Sequence, residues 1–160
     1  MKVVSTLIEA HVFRQVENDI EFLLIKRSND DDLFPGLWQM VTGSINENEK
    51  AFEAALREIK EETGMTPLKL WVAPNVNSFY NQTKDVVSLI PVFAAMVDKN
   101  SKVVISNEHS DYKWVKIDEA KKLLVWKGQR NSVDTIHQYF TKEISNLALN
   151  EIKINKLSLE

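Results

Sequence analysis

The order of apolar and polar residues divides the chain into β-rich segments separated by a few helical stretches. Val3 to Arg14 is β-rich in composition, and Glu21 to Arg27 carries the compact apolar run Phe22-Leu23-Leu24-Ile25. Glu17-Asn18-Asp19 supplies turn chemistry between them, so the spacing predicts a hairpin. Asn29 to Asp32 with Pro35-Gly36 reads as a polar loop, and Leu37 to Thr42 as a short strand ending at Gly43. From about Asn48 to Thr63 the period changes. Phe52, Ala55, Leu56 and Ile59 recur at three- and four-residue spacings and give one apolar helical face. Asn48 is the expected N-cap and Gly64 the expected residue just past the end, with Pro67 barring continuation.

Further β-type segments lie near Leu68 to Ala73, Asn77 to Tyr80, Val86 to Val97 and Tyr112 to Ile117. Pro91 inside the third implies an edge position or a bulge. Asp118 is expected to cap a short helix through Val125, and a last helix to run from about Ser132 to Ile144. The tail, 146–160, spaces Leu147, Leu149, Ile152, Ile154, Leu157 and Leu159 in a pattern compatible with docking or with fraying. With no internal repeat, low-complexity stretch or linker, 160 residues make one α/β domain, residues 1–160, with a mixed sheet and few helices.

Composition narrows the chemistry. The chain has no cysteine, which excludes disulfides, thiolate zinc sites and cysteine nucleophiles. Its three histidines, His11, His109 and His137, are far apart in sequence and do not suggest a histidine-rich metal site. A divalent metal would be held by carboxylate and backbone oxygens, which favours Mg2+. No apolar run is long enough to cross a bilayer and no signal-peptide pattern opens the chain, so a reducing cytoplasm is the expected compartment. The net charge of −3 argues against non-specific nucleic-acid binding. That charge is local: Glu47 to Thr63 contains six acids and three bases, and the remaining residues are balanced.

On a helix, Glu61 and Glu62 lie three and four residues beyond Glu58 and share its face. Carboxylates that close repel by a few tenths of a kcal/mol or more per pair. Arg57, four residues from both Glu53 and Glu61, relieves part of this. Such a cluster is either a solvated acidic face or a place for hard cations that bridge protein carboxylates to substrate phosphates.

The flanks decide between these. Gly43, five residues, Glu49, seven residues, then Arg57-Glu58-Ile59-Lys60-Glu61-Glu62-Thr63-Gly64-Met65 matches the Nudix box at every fixed position. Seven strict positions give a chance match on the order of 10⁻⁸ per window. The chain therefore resembles the Nudix hydrolases, and the resemblance implies an α/β/α sandwich that hydrolyses a nucleoside diphosphate linked to another group, using Mg2+ or Mn2+. By the same resemblance, Glu58, Glu61, Glu62 and the Gly43 carbonyl are the expected metal ligands, with one carboxylate available as base. Glu49, Arg57 and Gly64 are expected to be structural. Glu108, ahead of a strand, is the expected further ligand or general base.

The run Trp38-Gln39-Met40-Val41-Thr42-Gly43-Ser44 resembles that of bacterial dihydroneopterin triphosphate pyrophosphohydrolases, also called dATP pyrophosphohydrolases. Glu108-His109 before Tyr112-Lys113-Trp114-Val115, and more loosely Trp126 before Arg130-Asn131, fit the same group. Asn48 departs from the glycine many members carry, but asparagine tolerates left-handed geometry. Arg27, Gln39 and Arg130 are the favoured substrate contacts, ahead of Lys26, Lys84 and Lys127. His109 is expected at a turn or surface, and Trp38 in the core. The implied partner is a small nucleotide or pterin triphosphate, with no nucleic acid and no membrane; oligomeric state stays open. A housecleaning enzyme, a diadenosine polyphosphate hydrolase and a non-catalytic nucleotide-binding module are the competing readings.

Overall fold

Strand β2 (Leu7–Val16) turns through Glu17, at φ 57°, into β3 (Asp19–Arg27), forming the expected hairpin. The computed structural model describes residues 1–142 and 149–154. The remaining elements are β1 (Lys2–Val4), β4 (Trp38–Gln39), β5 (Val41–Ser44), α1 (Ala51–Thr63), β6 (Lys69–Asn81), β7 (Val86–Met96), β8 (His109–Val115), α2 (Ile117–Leu123), α3 (Lys127–Thr141) and β9 (Asn150–Ile152).

The strands join one mixed sheet with the path β4-β3-β2-β7-β6-β9. The path branches at β2, which also pairs with β5, as it does at β3 (with β8) and at β7 (with β1). The first half of β2 pairs antiparallel with β5, Ile8 opposite Gly43 and Glu9 opposite Thr42, while its second half pairs with β3. Along its other side β2 runs parallel to β7. This branching carries Gly43 and Thr42 to the middle of the sheet, beneath α1.

Side-chain alternation sorts the strands into two cores. Ile8, Ala10, Val12, Leu23, Ile25 and Val41 pack against Ala55, Leu56 and Ile59 of α1. Phe13, Phe22, Leu24 and Met40 point the other way, toward Ala120, Val133 and Ile136 of α2 and α3. Helices thus cover both faces, the α/β/α arrangement expected from the sequence.

Pro91 lies on an interior strand rather than an edge. β1 pairs with β7 only through Ser88 and β2 only from Val92, so the missing N–H of Pro91 falls between them, opposite a register shift in β6 between Val72 and Val76. That bulge joins the two β segments expected around Ala73 into one strand. Asn48 does not cap α1, which begins after Lys50; it adopts φ 64° in the preceding turn, the left-handed geometry an asparagine tolerates. Gly64 ends the helix at φ 73°, as expected. Asp118 falls inside the first turn of α2, after Lys116, and α3 starts at Lys127 instead of Ser132. The expected end of α3 at Ile144 lies outside the described residues. Of the tail, Leu149 is buried and β9 pairs with β6, so this part docks.

Candidate active site

The box folds into a strand, a turn and a helix stitched together by one guanidinium. Arg57 donates from Nε and Nη2 to the two Glu49 carboxylate oxygens, at 2.8 and 2.9 Å. Nη2 also reaches the Ser44 carbonyl at 2.8 Å, and Nη1 reaches Glu58 at 2.7 Å and Glu61 at 3.3 Å. The Glu49 carboxylate also accepts from the Asn46 N–H at 2.9 Å, closing the turn. Hydrogen bonding to Arg57 holds Glu49 down at about 2 and raises the Arg57 pKa further. Gly43, next to the end of β5, lies directly below Glu58, where a Cβ would collide with the Glu58 carboxyl.

Replacing Arg57 with alanine therefore leaves three acids without their shared cation and the Ser44–Asn46 turn untied. The expected loss is about 1–2 kcal/mol, discounted because the group is partly exposed, with activity falling as well. Arg57→Lys keeps the charge but not the fork and falls between the two. Thermal melting and turnover measured on both variants check this; two variants that behave like wild type would contradict it.

Glu62 turns inward from the same helix and is only 5% exposed, and its Oε2 has no hydrogen-bond partner among the described residues. Burial, then the charges of Glu58 and Glu108, push its pKa up to about 9. Burial also raises that of Glu58, against the pull of Arg57. An uncompensated buried acid of this kind is costly, and a hard cation would relieve it. Among the described residues, no three acidic or histidine side chains are already gathered around one point. Glu58 and Glu61 instead lean on Arg57.

Glu62 opens on a cleft of about 570 Å³ lined also by Arg27, Ser28, Gln39, Thr42, Glu108 and His109. Arg27 donates to Asp31 at 2.6 Å and to Gln39 at 3.3 Å. The Asp31 carboxyl, bonded to Arg27, is held down at about 2. Gln39 lies 3.5 Å from His109 Nε2. His109 is buried, not at the surface as expected, because β8 pairs it with Arg27 along β3; burial lowers its pKa. The fold thus brings together Arg27, Gln39, Glu62 and Glu108. Arg130 stands apart from this group, its guanidinium donating to the Leu124 and Val125 carbonyls at 2.9 and 2.6 Å. Trp38 is half-buried against the second core, with the ammonium groups of Lys113 and Lys26 5.1 and 5.9 Å from the ring centroid.

Sequence reasoning missed Asp31, and also Glu9 and its neighbours. The signal for Glu9 and His11 was present: they alternate with Ile8, Ala10 and Val12 in a strand whose surroundings are apolar throughout, which marks them as buried polar groups.

The NUDIX domain family matches residues 8–136. The chain belongs to the Nudix family. Nucleoside triphosphatase NudI of Escherichia coli is 31% identical over 111 residues, covering 65% of this chain and 79% of NudI. The fold resembles that of a C. elegans Ap4A hydrolase (TM-score 0.71, 22% identity, 87% of this chain and 98% of that one). It also resembles the E. coli dihydroneopterin triphosphate pyrophosphohydrolase (TM-score 0.67, 24% identity, 86% and 95%). This Nudix chain is a hydrolase acting on phosphorus anhydrides. Nudix hydrolases generally use divalent metal ions.

Proposed function

We propose that this chain, as a single Nudix domain, is a Mg2+-dependent pyrophosphohydrolase. Its substrate is a nucleoside or pterin triphosphate, which it converts to the monophosphate and pyrophosphate. One observation carries the reading: buried Glu62, whose Oε2 has no hydrogen-bond partner among the described residues, lines a cleft shared with Glu108 and Arg27. Acid and base side by side suit a phosphate chain arriving with a cation.

Glu58, Glu61, Glu62 and the Gly43 carbonyl would hold the metal, with Mn2+ as a substitute. When bound, it supplies charge neutralisation on the phosphates and a lower pKa for the attacking water. Arg27, oriented by Asp31 and Gln39, binds a phosphate oxygen and offsets charge on the leaving pyrophosphate. Glu108, beside the cleft, accepts the proton from the attacking water or adds a ligand. Gln39 and His109 form the cleft wall behind Arg27. Arg57 and Glu49 keep the Gly43 strand end against the Glu58 face.

The Trp38-to-Ser44 run supports a pterin substrate, which would place the enzyme in folate synthesis. The cysteine-free composition fits a reducing cytoplasm. The test is Mg2+-dependent hydrolysis of dihydroneopterin triphosphate, dATP, 8-oxo-dGTP and diadenosine tetraphosphate, with products separated by chromatography and rates compared by kcat/KM. A triphosphate of the first two kinds should lead. A lead for 8-oxo-dGTP or diadenosine tetraphosphate would favour those readings instead, and binding without turnover would favour a non-catalytic module.

A further inference from the structure

On the sheet face opposite α1, Glu9 is 5% exposed yet lies at the centre of a polar cluster. Asn77 Nδ2 donates to Glu9 Oε2 at 2.7 Å, and Gln129 Nε2 lies 3.5 Å from Glu9 Oε1. Asn75 donates to Ser132 Oγ at 2.8 Å and to Asn77 Oδ1 at 3.3 Å, and Ser132 donates to the Gly128 carbonyl at 2.9 Å. Gly128 lets α3 approach closely, since a Cβ there would sit 2.7 Å from Asn77 Oδ1.

A purely structural tie between α3 and the sheet would satisfy its members. Here the Asn75 Oδ1 and Gln129 Oε1 acceptors have no partner among the described residues. The Glu9 carboxylate has room for further donors, since its two oxygens offer about four acceptor directions and two are used. The cluster is therefore short of donors. Burial raises the Glu9 pKa against the pull of its two amide partners, in keeping with a carboxyl that lacks them.

Two features connect this cluster to substrate. Thr42, which lines the Arg27–Glu62–Glu108 cleft, is the direct cross-strand neighbour of Glu9. Trp126, immediately before α3, meets Phe34 edge to face at 5.8 Å, and both rings are about half exposed. A flat ring whose phosphates occupy the cleft would thus have a buried, acceptor-rich cluster beyond Thr42 and an aromatic surface nearby.

We propose that Glu9, with Asn75 and Gln129, selects the heterocycle of the substrate, favouring rings that present a ring N–H beside an exocyclic amino group. The 2-amino-4-oxopyrimidine edge common to guanine and pterins does this, offering two adjacent donors to one carboxylate. Adenine and cytosine place an acceptor beside their amino group, and uracil flanks its N–H with carbonyls. The inference rests on the triphosphate reading for the position of the phosphates.

The experiment has two arms. In the first, guanosine, neopterin, adenosine and cytidine are titrated calorimetrically into the protein without added metal. Guanosine or neopterin should bind at least about tenfold more tightly than the others. In the second, kcat/KM with Mg2+ is measured for GTP, dihydroneopterin triphosphate, ATP and CTP, which separates the guanine source from the pterin source. Glu9→Gln should collapse the preference for the better of the first two over ATP by about 10- to 100-fold, and Gln129→Ala should weaken it less. Equal binding of all four nucleosides by the wild-type protein, or a preference unchanged in folded Glu9→Gln, overturns the proposal. Selective nucleoside binding without hydrolysis would overturn the pyrophosphohydrolase reading and leave this one standing.

Discussion

Glu62→Gln should lower turnover by about 10³-fold if Glu62 holds the metal as proposed, because a ligand worth several kcal/mol of charge stabilisation would be lost. The same substitution leaves the metal-free protein more stable than wild type at alkaline pH. In the folded chain the Glu62 carboxyl titrates at about 9, against an ordinary value of 4.5. Between those limits the folded state binds more protons than the unfolded one, so unfolding free energy falls as pH rises. The contribution is fully present below the ordinary value and is lost as pH climbs through the folded one. Glutamine removes this slope while keeping the shape.

Melting curves with a chelator at pH 5, 7 and 9 should therefore show the variant gaining on wild type at each step. Added Mg2+ should stabilise wild type and do so much less in the variant. Parallel pH dependences would show that Glu62 is not the strained acid, and retained turnover would remove it from the metal set. Glu61 stands differently. It is largely exposed and held at 3.3 Å by Arg57; as a proposed metal ligand its replacement in Glu61→Gln should remove nearly all activity while the fold persists.

Why the box was legible and the Glu9 cluster was not follows from what each depends on. The Gly43-to-Met65 spacing is local: helix periodicity alone puts Glu58, Glu61 and Glu62 on neighbouring positions of α1, and Arg57 reaches back only eight residues to Glu49. The hairpin at Glu17 and the helix stop at Gly64 are local in the same sense. Glu9, Asn77 and Gln129 come from β2, β6 and α3, and only sheet order and the packing of α3 bring them together. His109 was misplaced for the same reason, since its burial depends on pairing with Arg27, far away in sequence. The early start of α3 has another cause. Arg130 caps the carbonyls of Leu124 and Val125 from inside the first turn, and the N-cap position holds Trp126 without a side-chain bond, so none of the usual capping residues marks the boundary.

The two glycines that bracket the box should fail in opposite ways when replaced by alanine. Gly64 sits at φ 73° with Val104 Cβ 3.2 Å from where its own Cβ would be. Alanine there strains the backbone and costs about 1 kcal/mol or more in stability, while the acids upstream keep their places and turnover per folded molecule survives. Gly43 has no left-handed backbone to protect; the atoms its Cβ would meet first are the Cγ and carboxyl of Glu58. Those atoms end a flexible side chain, so they can swing away for about 1 kcal/mol of rotamer cost. The catalytic cost is much larger. A displaced Glu58 leaves both the Gly43 carbonyl and Arg57, and a misplacement of about 1 Å at a reacting centre costs on the order of 10² in rate. Gly43→Ala should thus melt close to wild type yet lose about 10²-fold in kcat, with Gly64→Ala showing the reverse. If Gly43→Ala instead kept its turnover, the close approach of β5 to Glu58 would be packing alone, and the carbonyl of Gly43 would have no part in holding the metal.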